Sequence, residues 1–111
     1  MTAYAVGHLR HVNMGPGIVQ YLEGIDATLA PFGGSFLIHG GRPEVLEGDW
    51  RGDLIVIAFP DMASARAWYA SPAYQAILAC RTENAVGEVL LVEGVDPEHK
   101  ATDVLSPPRA A

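Results

Sequence analysis

Leu54-Ile55-Val56-Ile57-Ala58-Phe59 is an almost unbroken apolar run, closed by Pro60-Asp61. Six residues suit a strand and are far too few to span a bilayer as a helix. Successive side chains on a strand point to opposite faces. Leu54, Val56 and Ala58 therefore share one face, and Ile55, Ile57 and Phe59 share the other. A strand that is apolar on both faces has to be covered on both.

Downstream, Pro60 ends the strand and Asp61 can cap a helix. Met62, Ala65 and Tyr69 form the expected inner stripe of that helix, with Trp68 beside them. Then comes Trp68-Tyr69-Ala70-Ser71-Pro72-Ala73-Tyr74. Ser caps helices with its hydroxyl, and Pro is tolerated at the first helical position because that N–H has no partner anyway. The helix is thus expected to break and restart at Ser71-Pro72, with aromatic rings fixed around the break. The second segment runs through Tyr74, Ile77 and Leu78 to about Thr82. Residues 86–95 read as the last strand, with Leu90 and Val92 opposing Val89 and Leu91.

Upstream, residues 35–39 (Ser-Phe-Leu-Ile-His) are a strand, followed by a bend at Gly40-Gly41 and a connection over 42–53 that includes a strand extension at 44–47. Before it, Ile18, Leu22, Ile25, Leu29 and Phe32 repeat at four and three residues, one helical stripe. Gly15-Pro16-Gly17 opens that helix and Gly33-Gly34 closes it. Residues 3–12 are the first strand, with Tyr4, Val6, His8, Arg10 and Val12 on one face and Ala5, Gly7, Leu9 and His11 on the other.

The order is β-α-β-β-α-β. That is an α+β, ferredoxin-like arrangement: a four-stranded antiparallel sheet with two helices on one face. The helices cover one apolar face only, and the other would be an aggregation patch in a monomer. The sequence therefore predicts a homodimer, sheet against sheet, closing a dimeric α/β barrel with a space between the sheets. Residues 1–95 form this domain. Residues 96–111 are a polar, Pro-containing tail ending in Ser106-Pro107-Pro108, either mobile or lying across another surface.

Composition narrows the partners. The 111 residues carry 7 basic and 13 acidic side chains, a formal net charge of −6. Nucleic acid and anionic membranes both select a basic surface, so neither is expected as a partner. The N-terminal stretch has no basic segment ahead of an apolar one, so no secretory signal is expected. The single cysteine, Cys80, excludes an intramolecular disulfide framework and, after an apolar stripe, suits a small buried hydrophobe better than a nucleophile. These features together predict a reducing, cytoplasmic setting.

Several residues type-match a ligand site. His39, at the end of the second strand and on one face with Ser35 and Leu37, is a candidate acid/base at a pocket rim, or a histidine bonded to the loop backbone. Glu47 is a candidate general base, or a solvated loop carboxylate. Tyr69 is a candidate phenol donor and Trp68 a candidate wall, or both fill the core. Tyr74 carries a hydroxyl that needs a partner if buried. Arg81 can hold an anion with its planar fork, cap helix carbonyls, or pair with Glu47 or Glu83. His8 and Arg10 share a face with Tyr4 and can receive a carboxylate or phenolate if that face looks into the dimer. His8 and His11 are not expected to form a metal pair, because an odd spacing puts them on opposite faces. No metal or other cofactor is expected.

Taken together, Gly33-Gly34, Gly40-Gly41, Val45-Leu46-Glu47-Gly48 with Trp50, Phe59-Pro60, Ala65-Arg66-Ala67-Trp68-Tyr69, Ser71-Pro72-x-Tyr74, Arg81 and Glu93-Gly94 form a recognisable pattern. The chain resembles the domain-of-unknown-function 1330 family (DUF1330), within the dimeric α/β-barrel superfamily. The matching residues run from 33 to 94, and the element order extends the likeness to about residue 4. One departure is His39, where members usually carry an Arg that could bind an anion. The resemblance implies a fold and a dimer but no reaction. Relatives in the superfamily include monooxygenases, isomerases and decarboxylases, an analogy of fold alone. Two functions stay open. One is a dimeric barrel binding a small organic molecule, an anion among the options, with cofactor-free oxygenase-, isomerase- or lyase-like chemistry as its enzyme form. The other is a non-catalytic structural or interaction module whose aromatics are core and interface.

Overall fold

A computed structural model describes residues 1–105. The strands are β1 (Ala3–Val12), β2 (Ser35–Gly40), β3 (Asp53–Phe59) and β4 (Ala85–Glu93). The helices are α1 (Pro16–Leu29), α2 (Met62–Ala70) and α3 (Pro72–Thr82). The sheet runs in the order β2-β3-β1-β4, every neighbour antiparallel. This is the ferredoxin-like α+β fold, its second helix split in two. Among the described residues no helix is long and apolar enough to cross a membrane.

The break between α2 and α3 follows from local chemistry. The Ser71 backbone is extended, its hydroxyl donates to the Trp68 carbonyl, and it accepts the Tyr74 N–H. Pro72 then occupies the first turn of α3. Asp61 caps α2 by accepting the Ser64 N–H at 2.7 Å, and this bond holds its carboxyl below the usual range.

The core lies between the helices and one sheet face. Trp68 (2% exposed) and Tyr74 (1% exposed) pack with Phe59, Ala3, Ala5 and Ile57. The indole N–H of Trp68 donates to Thr28 Oγ1, whose own hydroxyl donates to the Ile25 carbonyl. The stripe of α1 is corrected at one position: Tyr21 is buried where Leu22 was expected, and Leu22 is exposed. The spacing 18-21-25-28 is as helical as 18-22-25-29, and Tyr21 wins because its hydroxyl finds a partner inside.

Two bulges re-aim side chains. In β2, Phe36 pairs with Ile57 and Ile38 with Val56, so Leu37 is an extra residue. His39 consequently pairs with Ile55 and joins Phe36 on the helix-facing side, rather than Ser35 and Leu37. In β1 the register shifts between Leu9 and His11, which turns His11 to the same outer face as His8. Gly40 and Gly41 have φ of +83° and +37°, the expected bend. The expected strand at 44–47 is absent, because the segment pairs with no neighbouring strand. Instead Trp50 folds back and stacks on His8 at 4.1 Å. Gly52, at φ +92°, lies so close to the Leu9 carbonyl that a Cβ would collide with it. A 3₁₀ turn, Ala101–Leu105, lies within the expected tail, whose Ser106-Pro107-Pro108 end is outside the described residues.

Candidate functional site

The helix-facing side of β1 reads Ala3-x-Ala5-x-Gly7, the smallest side chains available. Such a strand cannot fill the space beneath α1 and α3. A cavity of about 300 Å³ results, within one protomer, between sheet and helices. This differs in place from the space expected between two sheets. Its floor is Ala5, Gly7, Ile55, Ile57 and Val89, and its roof includes Ile18, Tyr21, Ile25, Trp68, Tyr74 and Arg81. Met14, His39, Gly41 and Asp53, all exposed, mark the mouth.

The polar groups of the roof cluster. Tyr21 and Tyr74 share a hydrogen bond of 2.7 Å between their hydroxyls, their rings meeting edge to face. The Arg81 guanidinium lies over the Tyr21 ring, 5.9 Å from its centroid. Arg81 Nε is buried with no hydrogen-bond partner, and the side chain forms no ion pair among the described residues. Neither helix carbonyls nor Glu47 nor Glu83 take it up. Burial pushes the Tyr21 hydroxyl far above the usual tyrosine range; Tyr74 adds to this and Arg81 opposes it. For Arg81, burial works against the charge, but the two tyrosines outweigh it and the group is held more firmly protonated. The site thus offers one cation without an ion-pair partner among the described residues, beside a hydrogen-bonded phenol pair, in a largely apolar pocket.

At the mouth, His39 stacks on Phe36 at 4.4 Å and 19°. Its ring makes no hydrogen bond to the loop backbone among the described residues, and it reaches the lining only because of the Leu37 bulge.

Of the residues singled out from the sequence, His39, Trp68, Tyr74 and Arg81 meet in this cavity. Tyr69 packs edge-on against Trp68 and beside Tyr74 but lies outside the lining. His8 and Arg10 point to the opposite face of the sheet. His8 accepts from or donates to nothing in the cavity; its Nε2 meets the Arg51 carbonyl at 2.6 Å, and Arg10 pairs with Glu88 at 2.6 Å. Glu47 borders a second, more open hollow of about 440 Å³ on that outer side, with Ile38, Leu54 and Trp50. Cys80 is half-buried against the core. Among the described residues no three His, Cys, Asp or Glu side chains gather to hold a metal ion. Tyr21 is the site residue that sequence reasoning missed.

Solved structures of the same fold resemble the chain at low identity. A dimeric ferredoxin-like protein of unknown function from Jannaschia sp. CCS1 superposes with a TM-score of 0.68 at 16% identity, covering 85% of this chain and 100% of that one. A protein of unknown function from Rhodopseudomonas palustris gives 0.64 at 14%, covering 86% and 84%. A mutant of SnoaB, a cofactor-independent oxygenase from Streptomyces nogalater, gives 0.52 at 16%, covering 89% and 98%. No curated protein matches the sequence. The family model described as domain of unknown function (DUF1330) matches residues 2–95, nearly the whole folded unit, and the chain belongs to that family.

Proposed function

We propose that this protein is a homodimer whose protomers each bind a small organic molecule in the cavity between sheet and helices. The carrying observation is the guanidinium of Arg81, which lines a largely apolar pocket and has no ion-pair partner among the described residues. A half-buried charge without a counter-ion is costly. A ligand acceptor would relieve it. The cavity size falls at the lower end of small-molecule sites. The dimer is supported by the bare apolar outer face and by dimeric neighbours of the same fold. The net charge of −6 and the single Cys80 support a cytoplasmic protein that avoids nucleic acid and membranes. Residues 1–95 serve as the binding domain and 96–111 as its appendage.

Filling the cavity from its floor tests this. An added Cβ at Gly7 meets Ile55 and Val89 only at ordinary contact distance, 3.8 Å, so a small side chain fits there. Gly7→Val is expected to keep the fold and abolish the thermal stabilisation that small aromatic compounds give the wild type. Stabilisation that persists in Gly7→Val would move binding elsewhere.

A second reading adds chemistry without a resident cofactor. It is favoured by His39, whose imidazole lines the cavity mouth, makes no hydrogen bond among the described residues and is chemically able to take a proton from a bound acid. SnoaB, a cofactor-independent oxygenase, shares the fold. The alternative of a ligand-free dimeric module draws support from the depth of Trp68 and Tyr74 in the core. It predicts that no compound stabilises the wild type.

A further inference from the structure

We infer that the cavity takes a flat aromatic monocarboxylate, its carboxylate held by Arg81 beside the Tyr21–Tyr74 pair. This rests on the binding reading above and names the chemical class of its ligand.

Charge sets the first requirement. Among the described residues Arg81 is the only lysine or arginine in the lining, and no carboxylate pairs with it. A neutral ligand would leave that partly buried charge uncompensated, whereas an anion compensates it. Tyr21 does not supply the anion itself, because burial keeps its phenol protonated.

Donor count sets the second. In the single hydrogen bond between Tyr21 and Tyr74, one hydroxyl donates and the other accepts. The accepting tyrosine keeps its own O–H, which bonds to nothing else among the described residues. That proton and the N–H groups of the Arg81 guanidinium, which lines the cavity, are donors with no acceptor among the described residues. A carboxylate has two acceptor oxygens and suits the planar guanidinium edge. The number of charges is limited to one. A second anionic group would meet no further cation in the lining and would approach Asp53 at the mouth.

Shape sets the third. The remaining walls are apolar, and several are flat: the Phe36–His39 stack, Trp68 and Tyr74. Planar rings stack on such surfaces.

The test is calorimetric titration of the full-length wild type at pH 7 with three probes: 2-naphthoate, its neutral near-isostere 2-naphthamide, and naphthalene-2,6-dicarboxylate. Charge-assisted bonds of this kind are expected to favour naphthoate over the amide by about tenfold or more, with the dicarboxylate weaker than naphthoate. Arg81→Gln is expected to bring naphthoate down to the amide's affinity and leave the amide unchanged. Equal binding of naphthoate and amide to the wild type, both lost in Gly7→Val, would overturn the carboxylate assignment while leaving the cavity as a binding site. No binding of any probe would overturn both. The wild-type comparison of naphthoate with amide decides the assignment even if Arg81→Gln fails to fold.

Discussion

The two faces of the sheet are built from the same kinds of residue and end in opposite states. On the helix side, Ala3, Ala5, Ile57 and Phe59 are buried. On the outer side, Leu90 is 51% exposed and Val92 46%, with Val6, Leu54 and Val56 half-covered around them. Hydrophobicity alone therefore does not tell which face meets the helices. Side-chain size does: the inner face of β1 is Ala, Ala and Gly, which lets helices approach and leaves a cavity, while its outer face carries Tyr4, Val6 and His8. The inner face is finished within one chain. The outer face is not.

The largest effect is expected at the largest buried side chain of the inner face. Trp68 fills the angle between α1, α2 and β3, touching Phe59 and Tyr74 and donating to Thr28. Trp68→Ala should cost about 3–5 kcal/mol, through lost contacts and the cavity left behind. Urea denaturation reads this directly. A loss below about 1 kcal/mol, as for a surface residue, would break the contrast between the faces.

Much of this contrast is legible in the sequence. The two-sided apolar run at 54–59 and the Ser71-Pro72 break suffice for the element order, and the bare second face follows from it. What escapes is the exact side of single residues. The bulges at Leu37 and Arg10 leave no compositional mark, yet each adds one residue and reverses the alternation beyond it. His39 enters the cavity lining for that reason, and His11 leaves the face that simple alternation assigns it. Tyr21 was within reach, since it fits the helical stripe as well as Leu22 does. Arg81 stands out by type, but its lack of a partner depends on where Glu47 and Glu83 come to lie, which no local pattern encodes.

The outer face should respond differently. Leu90 pairs across from Val6 and lies among the exposed apolar residues of that surface. Leu90→Glu is expected to leave the helical and strand content of the protomer unchanged and to convert a dimer into a monomer. Light scattering coupled to size exclusion measures the mass, and circular dichroism the fold. The wild type's thermal midpoint should rise with protein concentration, and the variant's should not. A variant that stays dimeric would place the subunit contact on some other surface and leave the outer face without an occupant.

The smallest effect concerns the polar pair inside the cavity, and its sign depends on pH. Removing the hydroxyl in Tyr21→Phe deletes one buried hydrogen bond, worth about 1 kcal/mol near neutrality. At alkaline pH the difference should shrink. The Tyr21 hydroxyl is held above the ordinary tyrosine value of about 10 in the folded chain, whereas the unfolded chain titrates near that value. Above pH 10 the unfolded state therefore binds fewer protons than the folded one, and stability falls as pH rises. Below pH 10 this group contributes no slope. Wild type and Tyr21→Phe should thus differ by a constant amount up to about pH 9, and the gap should narrow above pH 10 as only the wild type loses this contribution. Denaturation midpoints measured from pH 7 to 11 follow it. A gap that stays constant across that range would mean that Tyr21 ionises as easily folded as unfolded, and the roof of the cavity would then be wet rather than apolar.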